Sequence, residues 1–350
     1  MYLSAQHFLL ASNFTFSSRI IGSYQAKFHS KRLAGFAITE LMIAMLLGSL
    51  LLLILTTVYG VVKKNYLLEQ AEATMQTNAN TVIDILQQEL RMAGFVGCAK
   101  ISELARPLKH GNKFFTAENS VLGSQGVGSS WQPHLPVRLH NVKPETDVIT
   151  IWSRRARSYQ VTQDTDGSLI GFTKNIPFEV GDILLLSSCE GAELLAVGCK
   201  KKLRKDCNKQ DLRIAKPLKI YQQAELARLN YYAYFIRQSI HLSQDGQVIY
   251  SLFRKSLNSL ASAQELVEGV EAMKISYGTK ASSLAPLIFL SADQVQAWQE
   301  VYVIKIALLM TSINNVLDKP QAYQFNGKLH PAKDRILRRE WITYIALRER

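Results

Sequence analysis

The chain has 350 residues, 47% of them hydrophobic, a formal net charge of +13 and four cysteines. That apolar fraction is ordinary for a globular protein and excludes a chain too polar to bury a core, and the length holds one large domain or two. The positive charge would attract nucleic acid, anionic lipid or an acidic partner, and by itself selects none of them.

The first 35 residues contain Arg19, Lys27, Lys31 and Arg32 and no acid. They mix Ser, Phe and Leu without a clear period, as a basic, Ser-rich transit peptide would. The adjoining stretch sets them apart from one. After Ala34-Gly35 comes an apolar run from Phe36 to Val62, closed by Lys63 and Lys64. It has no proline and one charged side chain, Glu40. The run exceeds the roughly 20 apolar residues that cross a bilayer as a helix. A secretory signal has a shorter apolar core with its small residues after it, whereas here they come before, so the run is expected to stay as an anchor. The basic residues ahead of it outnumber Lys63 and Lys64 behind it, and Glu69 and Glu72 lie close beyond. This favours a cytoplasmic N-terminus, with the bulk of the chain outside the cytoplasm. A carboxylate inside an apolar span costs about 2.5–3.5 kcal/mol at mid-membrane, less near an end, and usually marks function or a partner.

Lys31, Arg32, Gly35, Phe36, Glu40 and Leu41 together resemble the class III signal of type IV prepilins, although FAITEL departs from the family's usual FTLIEL. The resemblance implies a cleaved leader (1–35), with a prepilin peptidase cutting between Gly35 and Phe36 and methylating the new N-terminal Phe36. It also implies that Glu40 is the assembly residue, pairing with the N-terminal amine of a neighbouring subunit. Each of those two charges would remove the other's desolvation cost in apolar surroundings. Loss of the leader's four basic residues would take the formal charge from +13 to +9.

The helical signal continues to about Arg91. Leu67, Ala71, Met75, Ala79, Val82, Leu86 and Leu90 recur every three or four residues, with polar residues between them, which is an amphipathic stripe. Residues 36–62 thus read as a membrane half and 63–93 as an amphipathic half of one helix, with Gly94 as terminator. The stripe is expected to pack against the chain's own domain.

The RMAGFVGC stretch at Arg91 resembles the helix-to-domain junction of PilW-type minor pilins and their pseudopilin relatives. The same class is similar to Phe178–Glu190, Glu265–Gly278, Trp298–Ser312 and Leu337–Arg350. The resemblance covers most of the chain from Lys31 onward, but Leu104–Pro136 and Lys200–Lys209 match nothing in it. Read without the family, residues 94–350 are strand-rich. Val148–Trp152, Ile183–Leu186, Tyr231–Ile236, Val248–Phe253, Met273–Tyr277, Val301–Met310 and Trp341–Leu347 are short Val-, Ile-, Leu-, Tyr- and Phe-rich runs. Turn pairs such as Asp166-Gly167, Gly181-Asp182, Asp245-Gly246 and Asn326-Gly327 separate such runs, and Asp245-Gly246 is a hairpin signal. The expected fold class is α+β: a long N-terminal helix carrying an antiparallel β-sheet domain of the type IV pilin kind.

Cys98, Cys189, Cys199 and Cys207 form no Cys-x-x-Cys pair, and an even count in an exported domain favours disulfides. Of three connectivities we expect Cys98–Cys189 and Cys199–Cys207, the second because it closes a short loop.

Catalytic patterns are missing. None of the seven histidines sits at helical metal-binding spacing with another, and no His-Glu-x-x-His or Gly-x-Ser-x-Gly occurs. Gly123, Gly126 and Gly128 lack the Lys-Ser/Thr of a phosphate loop and read as a flexible surface connection. Asp164-Thr165-Asp166-Gly167 lacks the closing glutamate of a calcium loop and reads as a turn. No cofactor, metal or enzymatic activity is expected. Two basic clusters remain: Lys200, Lys201, Lys202, Arg204, Lys205 and Lys209 around Cys199 and Cys207, and Arg154, Arg155 and Arg157. Either would track a nucleic-acid backbone if aromatics were interleaved, but Tyr159 is the only one near, and a charge run is usually a solvated face.

The resemblance implies a minor pilin that primes or joins type IV pilus assembly. Its partners would be other minor pilins, the major pilin, the prepilin peptidase and the inner-membrane assembly platform. It would reside in the inner membrane, with the bulk of the chain in the periplasm, and then in the pilus, at its tip. One alternative is a PulJ-like pseudopilin of a type II secretion system; another is a signal-anchored periplasmic enzyme or binding protein.

Overall fold

The computed structural model of the protein describes residues 38–104, 108–110, 113–115, 119–136, 139–164, 169–170, 178–199, 212–258, 261–280 and 285–347. One long helix, α1 (Ile38–Arg91), precedes a mostly antiparallel β-sheet domain, as the patterning predicts. The chain divides into two units, Met1–Gly60 and Val61–Arg350.

The described part of the first unit is helical throughout. Leu, Ile, Met and Ala dominate it and no proline interrupts it, so propensity and composition agree. Three of its hydroxyl groups turn back on the helix: Ser49, Thr56 and Thr57 donate to the carbonyls of Leu46, Leu53 and Ile54 at 2.8, 2.9 and 2.7 Å. Polar groups satisfied inside their own helix make no demand on the surroundings.

In the second unit α1 buries Met75, Ala79, Val82, Leu86 and Leu90, which is the lower part of the predicted stripe. Leu67, nearer the boundary, stays 46% exposed. The stripe packs on the chain's own sheets, with Ile151 and Tyr234 of one and Ile275 and Ile306 of another in the same core. Each large apolar side chain so buried stabilises the fold by about 1.5–3 kcal/mol. The helix ends where expected. Gly94 has φ +69° and donates its N–H to the Trp152 carbonyl at 3.0 Å. A Cβ there would stand 2.6 Å from Ile101.

Strands β1 (Leu108–His110) and β2 (Lys113–Phe115) form a small ribbon. A ten-stranded sheet contains β3 (Val121–Val127), β4 (Ser130–Gln132), β5 (Val148–Gln163), β6 (Leu169–Ile170), β7 (Ile183–Ser188), β8 (Gly191–Cys199), β9 (Leu212–Ile214), β10 (Ala224–Leu242), β11 (Val248–Ser256) and β12 (Gln264–Glu268). Its order is β4-β3-β5-β10-β7-β8-β9, with β6 on β5, β11 on β10 and β12 on β11. After Gly269 the chain enters a four-stranded sheet. This holds β13 (Val270–Thr279), β14 (Ile288–Leu290), β15 (Val301–Thr311) and, beyond the hairpin β16 (Tyr323–Phe325)–β17 (Lys328–His330), β18 (Arg338–Ala346), in the order β14-β13-β15-β18.

Each of the seven runs read as strands lies in one, save that the last strand stops at Ala346, one residue short of Leu347. Asp245-Gly246 turns between β10 and β11, and Asn326-Gly327, both at positive φ (49° and 73°), turns between β16 and β17. The reading of Gly123, Gly126 and Gly128 as a flexible connection is corrected. Gly123 and Gly126 lie inside β3, a buried strand paired with β5, and only Gly128, at φ +57°, is in a turn. The two strand glycines serve close approach. A Cβ on Gly123 would meet the Tyr277 hydroxyl at 2.0 Å, and one on Gly126 the Thr146 carbonyl at 2.4 Å.

The sheets are bolted together by a buried acid. Asp147 accepts from the N–H of Gly126 (3.0 Å) in β3, and from the N–H of Ile275 (2.8 Å) and Nζ of Lys274 (3.0 Å) in β13. A second charge cluster centres on Arg338, which donates to Glu271 (2.6 Å) and, through both nitrogens of its fork, to Asp334 (2.6 and 2.8 Å).

Candidate functional site: the apolar segment of α1 and its acid

The N-terminal part of α1 is long and apolar enough to cross a membrane, and none of that apolar stretch is buried. Leu41, Leu46, Leu53 and Leu55 are each more than half exposed. An apolar helix surface on this scale has no use in water, where helix amphipathicity is the rule. In lipid, or among other apolar helices, it is the solvated state.

Glu40 sits in the first turn of the helix and is exposed. Among the described residues it has no hydrogen-bond or ion-pair partner. A carboxylate near a helix N-terminus is favoured by the backbone dipole, by about 0.3–1 kcal/mol at an exposed site. That is smaller than the cost of carrying the charge into an apolar phase. Glu40 is thus an exposed carboxylate in apolar surroundings that no cation among the described residues answers. Gly35 and Phe36, the residues of the expected cleavage, lie outside the described residues.

Cys98 and Cys189 are joined, with Cα atoms 4.7 Å apart and a sequence separation of 91. The bond ties the segment leaving α1 to the turn between β7 and β8. Cys199 is also disulfide-bonded; Cys207, the partner expected for it, lies outside the described residues. So do Lys200, Lys201, Lys202, Arg204, Lys205 and Lys209, and Thr165, Asp166 and Gly167. In the second basic cluster, Arg154 is largely buried and pairs with Glu225. Arg155 and Arg157 are exposed, and the Arg157 guanidinium lies 5.6 Å from the ring centre of Tyr159. Arg154 is thus withdrawn into the fold, whereas Arg155 and Arg157 stay at the surface.

Burial and charge coupling elsewhere serve the fold. Burial raises the Asp147 carboxyl above its ordinary range, outweighing Lys274 and the two backbone N–H bonds that lower it. Burial likewise lowers the Lys143 ammonium, partly offset by Glu271. Sequence reasoning missed both groups, because a lone Asp or Lys between strands carries no local signal.

The family model described as Type IV Pilus-assembly protein W matches residues 233–349. No curated protein and no solved structure matches the chain. The matched stretch runs from the middle of β10 to the end of β18, the last third of the chain. It supports a relation to type IV pilus assembly and contains neither α1 nor Glu40.

Proposed function

We propose that the protein is a minor pilin that primes or joins assembly of a type IV pilus and performs no chemistry of its own. The observation that carries this reading is the apolar segment of α1, none of it buried, with a single acid, Glu40, in its first turn. The match of residues 233–349 to a pilus-assembly family supports it from the other end of the chain.

On this reading a prepilin peptidase removes residues 1–35, and Phe36 becomes the methylated N-terminus. The protein waits in the inner membrane with its β domain in the periplasm. It then enters the filament, at the tip, through α1. Close packing of apolar helices drives association there, and paired polar groups direct it. Glu40 meets the amine of a neighbouring pilin, either another minor pilin or the major one, and each charge loses its reason to prefer water.

N-terminal sequencing of the mature protein from cells with and without the peptidase tests the processing: a start at methylated Phe36 is expected, and an intact leader would overturn the proposal. Replacement of Glu40 by the isosteric Gln tests the pairing. Incorporation into sheared pili, measured by immunoblot, should fall sharply while the amount in the membrane is unchanged.

A further inference from the structure

His241, Glu265 and Glu268 each place a ligating atom within 4.8 Å of the others, although His241 and Glu268 lie 27 residues apart. Two irregularities of strand register bring them together. In the β11–β12 pair, Leu252 faces Val267 but Phe253 faces Glu265, which leaves Leu266 as an extra residue. Strand side chains alternate, so Glu265 and Glu268 would ordinarily point to opposite faces. The bulge reverses one of them, and both fall on the face of their β11 partners, Phe253 and Ser251. In the β10–β11 pair the register slips between Gln238 and Leu242, and His241 lies in that slip. Its Nδ1 is 2.7 Å from Oε1 of Glu268.

Two polar atoms on this face are buried without a partner, Oε1 of Glu265 and Oγ of Ser251. Ser251 is wholly buried and stands directly across from Glu268, where side chains of paired strands touch. Arg237, across from Ser251 on β10, lies over the Phe253 ring at 5.4 Å. Among the described residues no Lys or Arg pairs with Glu265 or Glu268. Two carboxylates therefore share a face with an imidazole and an unpartnered hydroxyl, and Arg237, the cation on that face, is ion-paired to neither of them.

We propose that His241, Glu265 and Glu268 bind a divalent transition metal ion of the zinc type. One imidazole and two carboxylates suit zinc, whereas calcium takes oxygen ligands alone. Metal bonds of about 2.0–2.2 Å set tetrahedral ligand atoms about 3.4 Å apart. The present spacings, from 2.7 Å to at most 4.8 Å, reach that with side-chain shifts of about an ångström. His241 is exposed and both glutamates are half-buried, so the ion has an entry path and water completes its shell. The bound ion would fasten the tip of β10 to the edge strand β12. It would do so one residue before Gly269, where the chain leaves the large sheet for the small one. Gly269 itself donates to the Tyr250 carbonyl at 3.0 Å and accepts from the Thr311 N–H at 2.9 Å. The site does not depend on the pilus reading.

The test is calorimetric titration of the full-length protein in detergent micelles with zinc chloride after EDTA treatment, beside His241→Ala and Glu265→Gln. One zinc per chain is expected at this site. Loss of a direct ligand should weaken it by at least about ten-fold, the lower bound set by losses of groups that merely support a ligand. Zinc should raise the melting temperature of the wild type and leave that of Glu265→Gln unchanged. In EDTA the melting temperatures should agree, which separates ligand loss from misfolding. Equal zinc binding by the wild type and both variants would overturn the proposal, as would no stoichiometric zinc binding by the wild type.

Discussion

Replacing Asp147 by Ala probes the joint between the two sheets. Asp147 is 4% exposed and receives three donors from strands of different sheets. With the carboxylate gone, the N–H groups of Gly126 and Ile275 lose their acceptor inside the fold. A buried donor left unmade costs about 1–3 kcal/mol, so the two together give a loss of about 2–6 kcal/mol. Lys274 adds little to that sum, because its side chain is 22% exposed and reaches water. The charge itself is a burden, since burial raises the Asp147 pKa above its ordinary value of 3.8. A carboxyl whose folded pKa exceeds its unfolded one contributes its full stability below the unfolded value. That contribution is lost as pH rises through the folded value. An Asp147→Asn variant therefore lacks this downward slope. It still destabilises at neutral pH, because its amide nitrogen must face one of the two N–H donors. Urea unfolding of the full-length protein in micelles, monitored by tryptophan fluorescence, measures both effects. A loss below about 1 kcal/mol for Asp147→Ala would show that the donors find other acceptors, and would refute the account of Asp147 as the bolt between sheets.

Three other outcomes are expected. Replacing Cys98 and Cys189 together by Ser should lower stability by about 2–5 kcal/mol, since the bond closes a loop of 91 residues and restricts the unfolded chain; chemical unfolding with and without reductant checks it. Leu86→Ala, at a wholly buried position facing both sheets, should cost about 2–5 kcal/mol, whereas Leu67→Ala at the exposed top of the same stripe should stay within about 0.5 kcal/mol; urea unfolding of the two variants side by side measures the difference. Arg338 holds the Asp334 carboxyl below its ordinary range, so that pair stabilises above the unfolded pKa and the contribution is lost as pH falls through the folded one; acid unfolding of Asp334→Asn should lack this component.

The long helix and its division were legible because they depend on local properties. An apolar run without proline specifies a membrane-length helix, and the stripe from Met75 to Leu90 recurs at the helical period. Glu40 stood out for the same reason, as one charge in apolar text. Strands such as Val301–Thr311 announced themselves by composition, and Asp245-Gly246 and Asn326-Gly327 by turn chemistry. Tertiary structure decided what composition leaves open. Gly123 and Gly126 look like loop residues until the Tyr277 hydroxyl and the Thr146 carbonyl occupy the space a side chain would need. Asp147 becomes a bolt only when β3 and β13 approach it from two sheets. His241, Glu265 and Glu268 share no recognisable spacing, because strand register and two bulges, not periodicity, put them on one face. Local patterns are set by a residue's own neighbours in the chain, whereas register is set by pairings across dozens of residues that no short window contains.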